Sequence, residues 1–302
     1  MIRSNMRLIP AGIPLLFTTL IACCVFAAAN AIRNYRSAQQ DFYPAPQSEL
    51  SLHPELTNVS GLVNVAFFTQ QRQRICGWYV PSKNHAAIIL TTGTNNDRSE
   101  LLAEIRILTT AGFAVLAFDW PGSGASSGEV HWSDGERQAL VASIDWLSTQ
   151  SGIDPHRIGA LGLSMGGYIT AQVAANDTRL SAIVLAAAPA DFMEYISWSH
   201  SHWGWLSMSP AKFAVRRASN ALSDIQPLNV VAHISPRPLL IIGGALDTTV
   251  PVSMDIELFR AANQPKSLWI IPAASHLGYM QIAPVEYSSR LIAFFTNALV
   301  AP

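Results

Sequence analysis

The chain has 302 residues, of which half are hydrophobic and only 13% are charged, against roughly 25% charged residues in an average soluble protein. This length can hold one large α/β domain or two smaller domains, and the apolar content excludes a disordered chain. The 19 basic and 20 acidic residues leave a formal net charge of -1, which excludes the basic surface that nucleic-acid binding requires.

The N-terminus (residues 1–33) is predicted to be a targeting segment. Two arginines precede an uncharged apolar stretch from Leu8 to Ala29, which is long enough in principle to cross a bilayer. Three interpretations stay open: an uncleaved signal anchor, a signal peptide cleaved near Ala27 to Asn30, and a lipoprotein signal with Cys23 as the lipidated residue. We expect the folded domain to lie outside the cytoplasm, held at the membrane by this segment, with a secreted protein or a lipoprotein as the alternatives.

A tether and then a folded domain are predicted to follow. Residues 34–58 are polar and contain three prolines, which is typical of an extended linker. The domain is predicted to span residues 59–302, and because Cys76 is its only cysteine no intrachain disulfide is expected. Its first apolar runs, Leu62 to Phe68 and Ile75 to Val80, predict an antiparallel strand pair.

Beyond this pair, short apolar strands alternate with helices. The predicted strands are Ala86–Thr92, Phe113–Asp119, Arg157–Leu163, Leu180–Ala187, Leu239–Gly243 and Leu268–Ile271. The predicted helices are Ser99–Ala111, Asp134–Thr149, Gly166–Ala175, Val252–Ala262 and Pro284–Leu299. Nearly continuous apolar strands alternating with helices indicate the α/β class, with a mostly parallel central sheet and helices on both faces.

A serine among glycines directly follows one of these strands. In a parallel sheet, ligands bind at the carboxyl ends of the strands, and the segment Gly162 to Gly166 (GLSMG) falls there. It fits the nucleophile elbow, a sharp strand-to-helix turn that strains the serine backbone and exposes its hydroxyl. Ser164 is therefore the predicted nucleophile, and a glycine-rich turn without catalysis is the alternative.

A serine nucleophile needs a base that is oriented by a third group. Asp247 follows one late strand and His276 follows the last strand. The chain thus has the order serine, acid, histidine that is typical of a nucleophile elbow and its partners. His276 is the predicted base and Asp247 the predicted acid. Asp247 is also a plausible helix N-cap, and Asp191 is the alternative acid.

A tetrahedral oxyanion needs two backbone donors. The first is expected to be the N–H of Met165, which follows the nucleophile at a helix N-terminus. The second is expected from the loop after strand Ala86–Thr92, with Thr94 as the donor and Asn95 as the alternative.

Taken together, these segments resemble the α/β-hydrolase superfamily, specifically bacterial serine hydrolases of the serine aminopeptidase-like and Bem46-like groups. The resemblance runs from about Val63 to Val300 and includes FDWPGSGASSGE, GLSMGG, GALDTTVP and ASHLG in family order. It implies the α/β-hydrolase fold with a short helical cap inserted at about residues 191–237. One departure is Thr92-Gly93, where relatives have His-Gly, which affects the second oxyanion donor.

The cap segment is rich in aromatic residues, which favour an apolar acyl or aryl group. The candidate substrate-binding residues in the cap are Tyr195, Trp198, Trp203 and Trp205. A cap that only covers its own core, or that rests on the membrane, is the alternative. His200 and His202 have no further ligands near them in the sequence, so no metal site is expected. The glycines of the segment from Asp119 to Gly128 do not fit a dinucleotide-binding motif, so no cofactor is expected.

The resemblance implies a serine hydrolase whose partner is a small-molecule ester or other acyl substrate. A carboxylesterase acting on small or medium apolar acyl esters is the preferred prediction. A serine peptidase or aminopeptidase and a thioesterase are the alternatives on the same triad, and a non-catalytic binding protein is a further one. The ester is preferred because the cap contains only three acids, Asp191, Glu194 and Asp224, to hold a peptide's ammonium group.

Overall fold

An eight-stranded sheet forms the centre of the protein. The structure, a computed structural model, describes residues 22–33, 35–36, 59–199, 201, 209–210, 212–213 and 225–300. The strands are β1 (Val63–Phe68), β2 (Arg74–Val80), β3 (Ala87–Thr91), β4 (Ala114–Phe118), β5 (Ile158–Leu163), β6 (Leu180–Ala186), β7 (Leu239–Gly244) and β8 (Lys266–Ile271).

The strand order across the sheet is β1-β2-β4-β3-β5-β6-β7-β8. The pairs β1–β2 and β2–β4 are antiparallel, and every other neighbouring pair is parallel. The predictions of a mostly parallel sheet and of an antiparallel pair at its start are therefore confirmed. Because β3 and β5 to β8 run in one direction, the loops that follow them gather at one edge of the sheet.

Helices cover both faces of this sheet. The helices are α1 (Leu102–Thr110), α2 (Asp134–Ser148), α3 (Met165–Asn176), α4 (Phe192–Ser199), α5 (Pro227–Val230), α6 (Val252–Ala261), α7 (Tyr279–Ile282) and α8 (Pro284–Leu299). One face packs against α2, α3 and α6, and the opposite face packs against α1 and α8. Alternate residues of β3 point to the two cores, so Ile89 faces one and Leu90 faces the other.

Most predicted boundaries agree with the structure to within one or two residues. The largest difference is at α1, where the predicted start at Ser99 lies in a 3-10 turn, Arg98–Leu101. Asp97 caps this turn by accepting a hydrogen bond from the Ser99 N–H at 2.9 Å, which tightens the backbone before the α-helix begins. The short helices α5 and α7 have too few residues for a periodic apolar pattern, and the sequence did not predict them.

Most of the predicted targeting segment and all but two residues of the predicted tether lie outside the described residues. Residues 22–33 are helical, with Val25 and Phe26 exposed. No helix within the described ranges combines the length and the apolar character that a membrane crossing requires. The anchor, the tether and the location outside the cytoplasm stay predictions.

Candidate active site

Ser164 occupies a strained turn between β5 and α3. Its backbone lies at φ 51° and ψ −117°, a region that non-glycine residues rarely adopt. The turn is possible because Gly162 and Gly166 lack side chains: a Cβ atom at Gly162 would collide with the Gly166 backbone, and one at Gly166 would collide with Thr91 and Thr92 at the end of β3. The Ser164 side chain thus leaves the sheet at the carboxyl end of β5, where it is 7% exposed.

Asp247 and His276 are in direct contact at the same edge of the sheet. Asp247 follows β7, His276 follows β8, and the Asp247 Oδ2 lies 2.6 Å from the His276 Nδ1. The Asp247 side chain is completely buried, whereas the imidazole is about one quarter exposed. A buried carboxylate at this distance holds Nδ1 as the donor, which leaves Nε2 free to accept a proton.

The second oxygen of Asp247 closes its own turn. Its Oδ1 accepts hydrogen bonds from the backbone N–H groups of Thr249 at 2.8 Å and Val250 at 2.9 Å. Helix α6 begins only at Val252, with Pro251 at its N-cap position, so Asp247 does not cap that helix. With three hydrogen bonds on its two oxygens, the carboxylate is locked in position.

The alternative acid, Asp191, caps a helix. Its Oδ1 accepts a hydrogen bond from the backbone N–H of Glu194 at 2.9 Å, which caps the first turn of α4. The carboxylate that contacts His276 is that of Asp247.

Gly93 lies between Ser164 and a carboxylate of the neighbouring loop. A Cβ atom at Gly93 would lie 3.7 Å from the Ser164 Oγ and 3.7 Å from the Glu100 Oε2. The loop after β3 therefore packs directly on Ser164, the predicted nucleophile. Among the hydrogen bonds of the described residues, none joins the Ser164 Oγ to His276, and such contacts often tighten only when substrate binds.

The two predicted oxyanion donors, Met165 and Thr94, directly follow the two residues that pack together, Ser164 and Gly93. Met165 is the first residue of α3, so its N–H has no partner within the helix. Thr94 lies in the loop after β3, directly beyond Gly93. The Gly93 N–H itself donates to the Glu100 Oε2 at 3.1 Å and is thereby occupied.

A buried ion pair supports the same loop. Arg98 forms a salt bridge with Asp119, and the Asp119 Oδ1 also accepts a hydrogen bond from the Arg98 backbone N–H at 2.9 Å. The Asp119 Oδ2 accepts a further hydrogen bond from the Ala125 N–H at 2.9 Å. These contacts join the glycine-rich turn after β4 to the 3-10 turn that carries Glu100.

Of the four aromatic residues predicted to bind substrate, two are described. The Tyr195 ring stacks on Trp132, with ring centroids 5.8 Å apart, and packs against the core. The Trp198 Nε1 donates a hydrogen bond to the Thr248 carbonyl at 3.1 Å and ties α4 to the turn of Asp247. Trp203 and Trp205 lie outside the described residues, and a substrate-binding role for all four stays a prediction.

Three residues near the site carried no functional signal in the sequence. Trp132 adopts φ 54° in the loop before α2 and packs on Phe192 of α4 at a centroid distance of 4.7 Å. Glu100 and Asp255 are carboxylates that the fold brings next to the predicted triad. An isolated acid in a helical stretch gives no sequence pattern that distinguishes it from a surface residue.

Asp255 is a buried carboxyl group directly behind the Asp247 turn. It lies in the first turn of α6, is fully buried, and neither of its oxygens has a hydrogen-bond partner among the described residues. Its carboxylate packs against Gly243 of β7, where any side chain would collide with it. Burial raises the pKa of Asp255 well above its usual range, and the charge of Asp247 raises this pKa further.

This buried acid makes the stability of the fold depend on pH. In Asp255→Asn, we expect the free energy of unfolding to increase relative to that of the wild type as the pH rises above about 4, by up to about 1.4 kcal/mol per pH unit. The reason is that ionising a carboxyl with a raised folded-state pKa costs free energy only above the unfolded-state value of about 3.9. Urea unfolding of the full chain at a series of pH values measures the difference. Asp255→Val should show the same trend, and curves parallel to the wild type would refute it.

Within the described residues, no group of three or more histidines, cysteines or acids is arranged to hold a metal ion. His200 and His202 lie outside those residues. That the protein works without a metal or cofactor stays a prediction.

Comparison with known proteins agrees with this architecture. An uncharacterized protein of Mycobacterium tuberculosis is 30% identical over 217 residues, which cover 70% of this chain and 72% of the relative. The protein YfhR of Escherichia coli is 24% identical over 291 residues, 93% of each chain. Among solved structures, the esterase Pf2001 of Pyrococcus furiosus superposes with a TM-score of 0.70 at 23% identity, covering 84% of this chain and 99% of that one.

The strand order, the alternation of strands and helices and the strained turn after β5 define an α/β-hydrolase. The resemblance stated from the sequence is thereby confirmed, and the protein is a hydrolase of this class. A model of the prolyl oligopeptidase family matches residues 99–301, and the chain belongs to that family.

Proposed function

We propose that this protein is a carboxylesterase that cleaves esters of small or medium apolar acyl groups. The single observation that carries the proposal is the contact of the Asp247 Oδ2 with the His276 Nδ1 at 2.6 Å. It lies at the sheet edge where Ser164 leaves β5 in its strained turn. A serine hydroxyl at the same sheet edge as an imidazole oriented by a buried carboxylate supports acyl transfer.

In the proposed reaction, the Ser164 Oγ attacks the ester carbonyl carbon while the His276 Nε2 takes the hydroxyl proton. The N–H groups of Met165 and Thr94 donate hydrogen bonds to the oxyanion of the tetrahedral intermediate. The intermediate collapses when the C–O bond to the alcohol breaks, and the alcohol leaves with the proton from the imidazolium. Water then attacks the acyl-enzyme with the same base, which releases the acid and restores Ser164.

Two features of the described cap residues support an ester over a peptide. The acids that could hold a peptide's ammonium group are engaged or exposed, since Asp191 caps α4 and Glu194 lies on the exposed side of that helix. Three of the eight residues of helix α4, at the start of the cap, are aromatic: Phe192, Tyr195 and Trp198. Aromatic side chains in a cap favour an apolar substrate group.

A serine peptidase is the second candidate, because the matching family model is named for a prolyl oligopeptidase. The same attack would cleave an amide, and thioester cleavage would likewise need no further group. Peptidase and thioesterase activity would break a different bond from the proposed esterase but would use the same site residues.

A substrate panel tests the proposal. With the purified full chain, we expect p-nitrophenyl esters of short and medium acyl chains to be turned over faster than aminoacyl-naphthylamides and acyl-thioesters of matched acyl group. Activity should fall on the acid side, because a protonated imidazole cannot take the serine proton. Faster cleavage of the naphthylamides would replace the esterase by a peptidase. Failure of the wild type to react with a fluorophosphonate probe would exclude both.

A further inference from the structure

Glu100 is a second carboxylate at the candidate active site, and it comes from the loop side and not from the Asp247 side. It lies in the 3-10 turn Arg98–Leu101, which the buried pair of Arg98 and Asp119 holds in place. The side chain is half-buried and points back toward the loop after β3. A carboxylate taken out of water in this way needs partners for both oxygens.

Both partners of Glu100 are hydrogen-bond donors. The Oε2 accepts from the Gly93 backbone N–H at 3.1 Å, and the Oε1 accepts from the Asn96 side-chain amide at 2.7 Å. A protonated acid would place its own O–H against one of these N–H groups. The surroundings therefore satisfy the ionised form, although burial raises the pKa of Glu100 above its usual value.

The Glu100 carboxylate lies across Gly93 from the predicted nucleophile and interacts electrostatically with the predicted base. A Cβ atom added to Gly93 would lie 3.7 Å from the Glu100 Oε2 and also 3.7 Å from the Ser164 Oγ. Its charge interacts with that of a protonated His276, which lowers the pKa of Glu100 in part. Opposite charges attract, so the ionised carboxylate is placed to stabilise an imidazolium at His276.

The other charged groups around the pair are few. Asp97 at the cap of the 3-10 turn and Glu104 of α1 interact with Glu100 and carry the same sign. On the far side, His276 faces Asp247, and Asp255 lies behind it. Glu100 interacts with His276 and belongs to the 3-10 turn, whereas Asp247 and Asp255 belong to the segment after β7.

We infer that Glu100 is a positioning residue of this active site, an inference that rests on the proposed function. Its carboxylate fixes the oxyanion loop through the Gly93 N–H and stabilises the positive charge that His276 carries while it holds the serine proton. Because the Gly93 N–H is occupied, the oxyanion is left to the Thr94 N–H as the donor from this loop. The loop that stabilises the oxyanion is thus hydrogen-bonded to Glu100, the same carboxylate that stabilises the positive charge on His276.

Glu100→Gln separates the charge from the hydrogen bonds. The amide oxygen can still accept from the Gly93 N–H, and the exposed Asn96 amide can rotate to accept from the new NH2 group. We expect the acid limb of kcat/KM to move to lower pH by about half a unit to one unit, with a loss of up to about tenfold at the plateau. A purely structural role would not move the limb.

Glu100→Ala tests the hydrogen bond to the loop. It should shift the acid limb as Glu100→Gln does. It should also lower kcat below that of Glu100→Gln, with KM little changed, because the oxyanion loop is no longer held by a hydrogen bond. Asp154→Asn is the control, since it removes the same charge at the amino end of β5, where Asp154 pairs with Arg157. It should leave both the limb and the plateau unchanged.

The rate of fluorophosphonate labelling against pH, measured on the same variants, keeps this inference separate from the esterase proposal. Labelling reports activation of Ser164 and needs no knowledge of the substrate. A shifted limb in labelling without ester turnover supports Glu100 and rejects the esterase. Wild-type limbs in Glu100→Gln, by either readout, overturn the role of Glu100 even if esters are cleaved.

Discussion

Ser164→Ala is expected to lower turnover of the preferred ester by at least about four orders of magnitude. Without the hydroxyl no acyl-enzyme forms, and only the oxyanion donors and substrate binding remain to accelerate attack by water. Steady-state hydrolysis, together with fluorophosphonate labelling, measures the loss. Labelling of the variant at the wild-type rate would show that another residue is the nucleophile.

A matched control and a double variant sharpen this expectation. Ser181→Ala removes a hydroxyl from the amino-terminal half of β6, where the Ser181 Oγ donates to the His156 carbonyl at 2.8 Å, and should leave turnover unchanged. His276→Ala should cost about as much as Ser164→Ala. The double variant should be no worse than either single one, because the two groups act as a unit. Additive losses would contradict a shared role.

Asp247→Asn is expected to lower kcat by about 10⁴-fold while leaving the fold intact. The amide oxygen can take over the two hydrogen bonds from Thr249 and Val250, which places the NH2 group toward the His276 Nδ1. The imidazole must then accept at Nδ1 and carry its proton on Nε2. In that tautomer it cannot take the proton of the serine hydroxyl.

Asp191→Asn provides the comparison for Asp247→Asn. Asparagine caps a helix about as well as aspartate, so α4 should keep its first turn and activity should change less than about tenfold. Thermal unfolding of both variants, measured beside kcat, checks that neither loss comes from misfolding. If Asp191→Asn were the inactive variant, the acid of the triad would have to be reassigned.

The sheet could be predicted from the sequence because its inner strands are buried on both faces. Residues such as Ile88, Ile89 and Leu90 fill two cores in alternation, which leaves a continuous apolar run with no polar position to obscure it. Ser164, Asp247 and His276 could be selected for a related reason. Each follows an apolar strand, and the parallel topology brings the carboxyl ends of those strands to one edge.

The surroundings of these residues could not be predicted, because they depend on contacts between distant segments. Glu100 reaches Gly93 only because a 3-10 turn replaces the first turn of the expected helix. Asp255 lies behind Asp247 because the first turn of α6 packs on β7 at a glycine. The partners of Trp198 likewise follow from the position of α4 and not from the aromatic composition of the segment.

The hydrogen bond from Trp198 to the Thr248 carbonyl joins helix α4 to the residue next to Asp247, the predicted acid. Helix α4 cannot swing away without either breaking this bond or pulling on the backbone beside Asp247. A displacement of α4 would therefore strain the backbone that carries Asp247, the hydrogen-bond partner of His276.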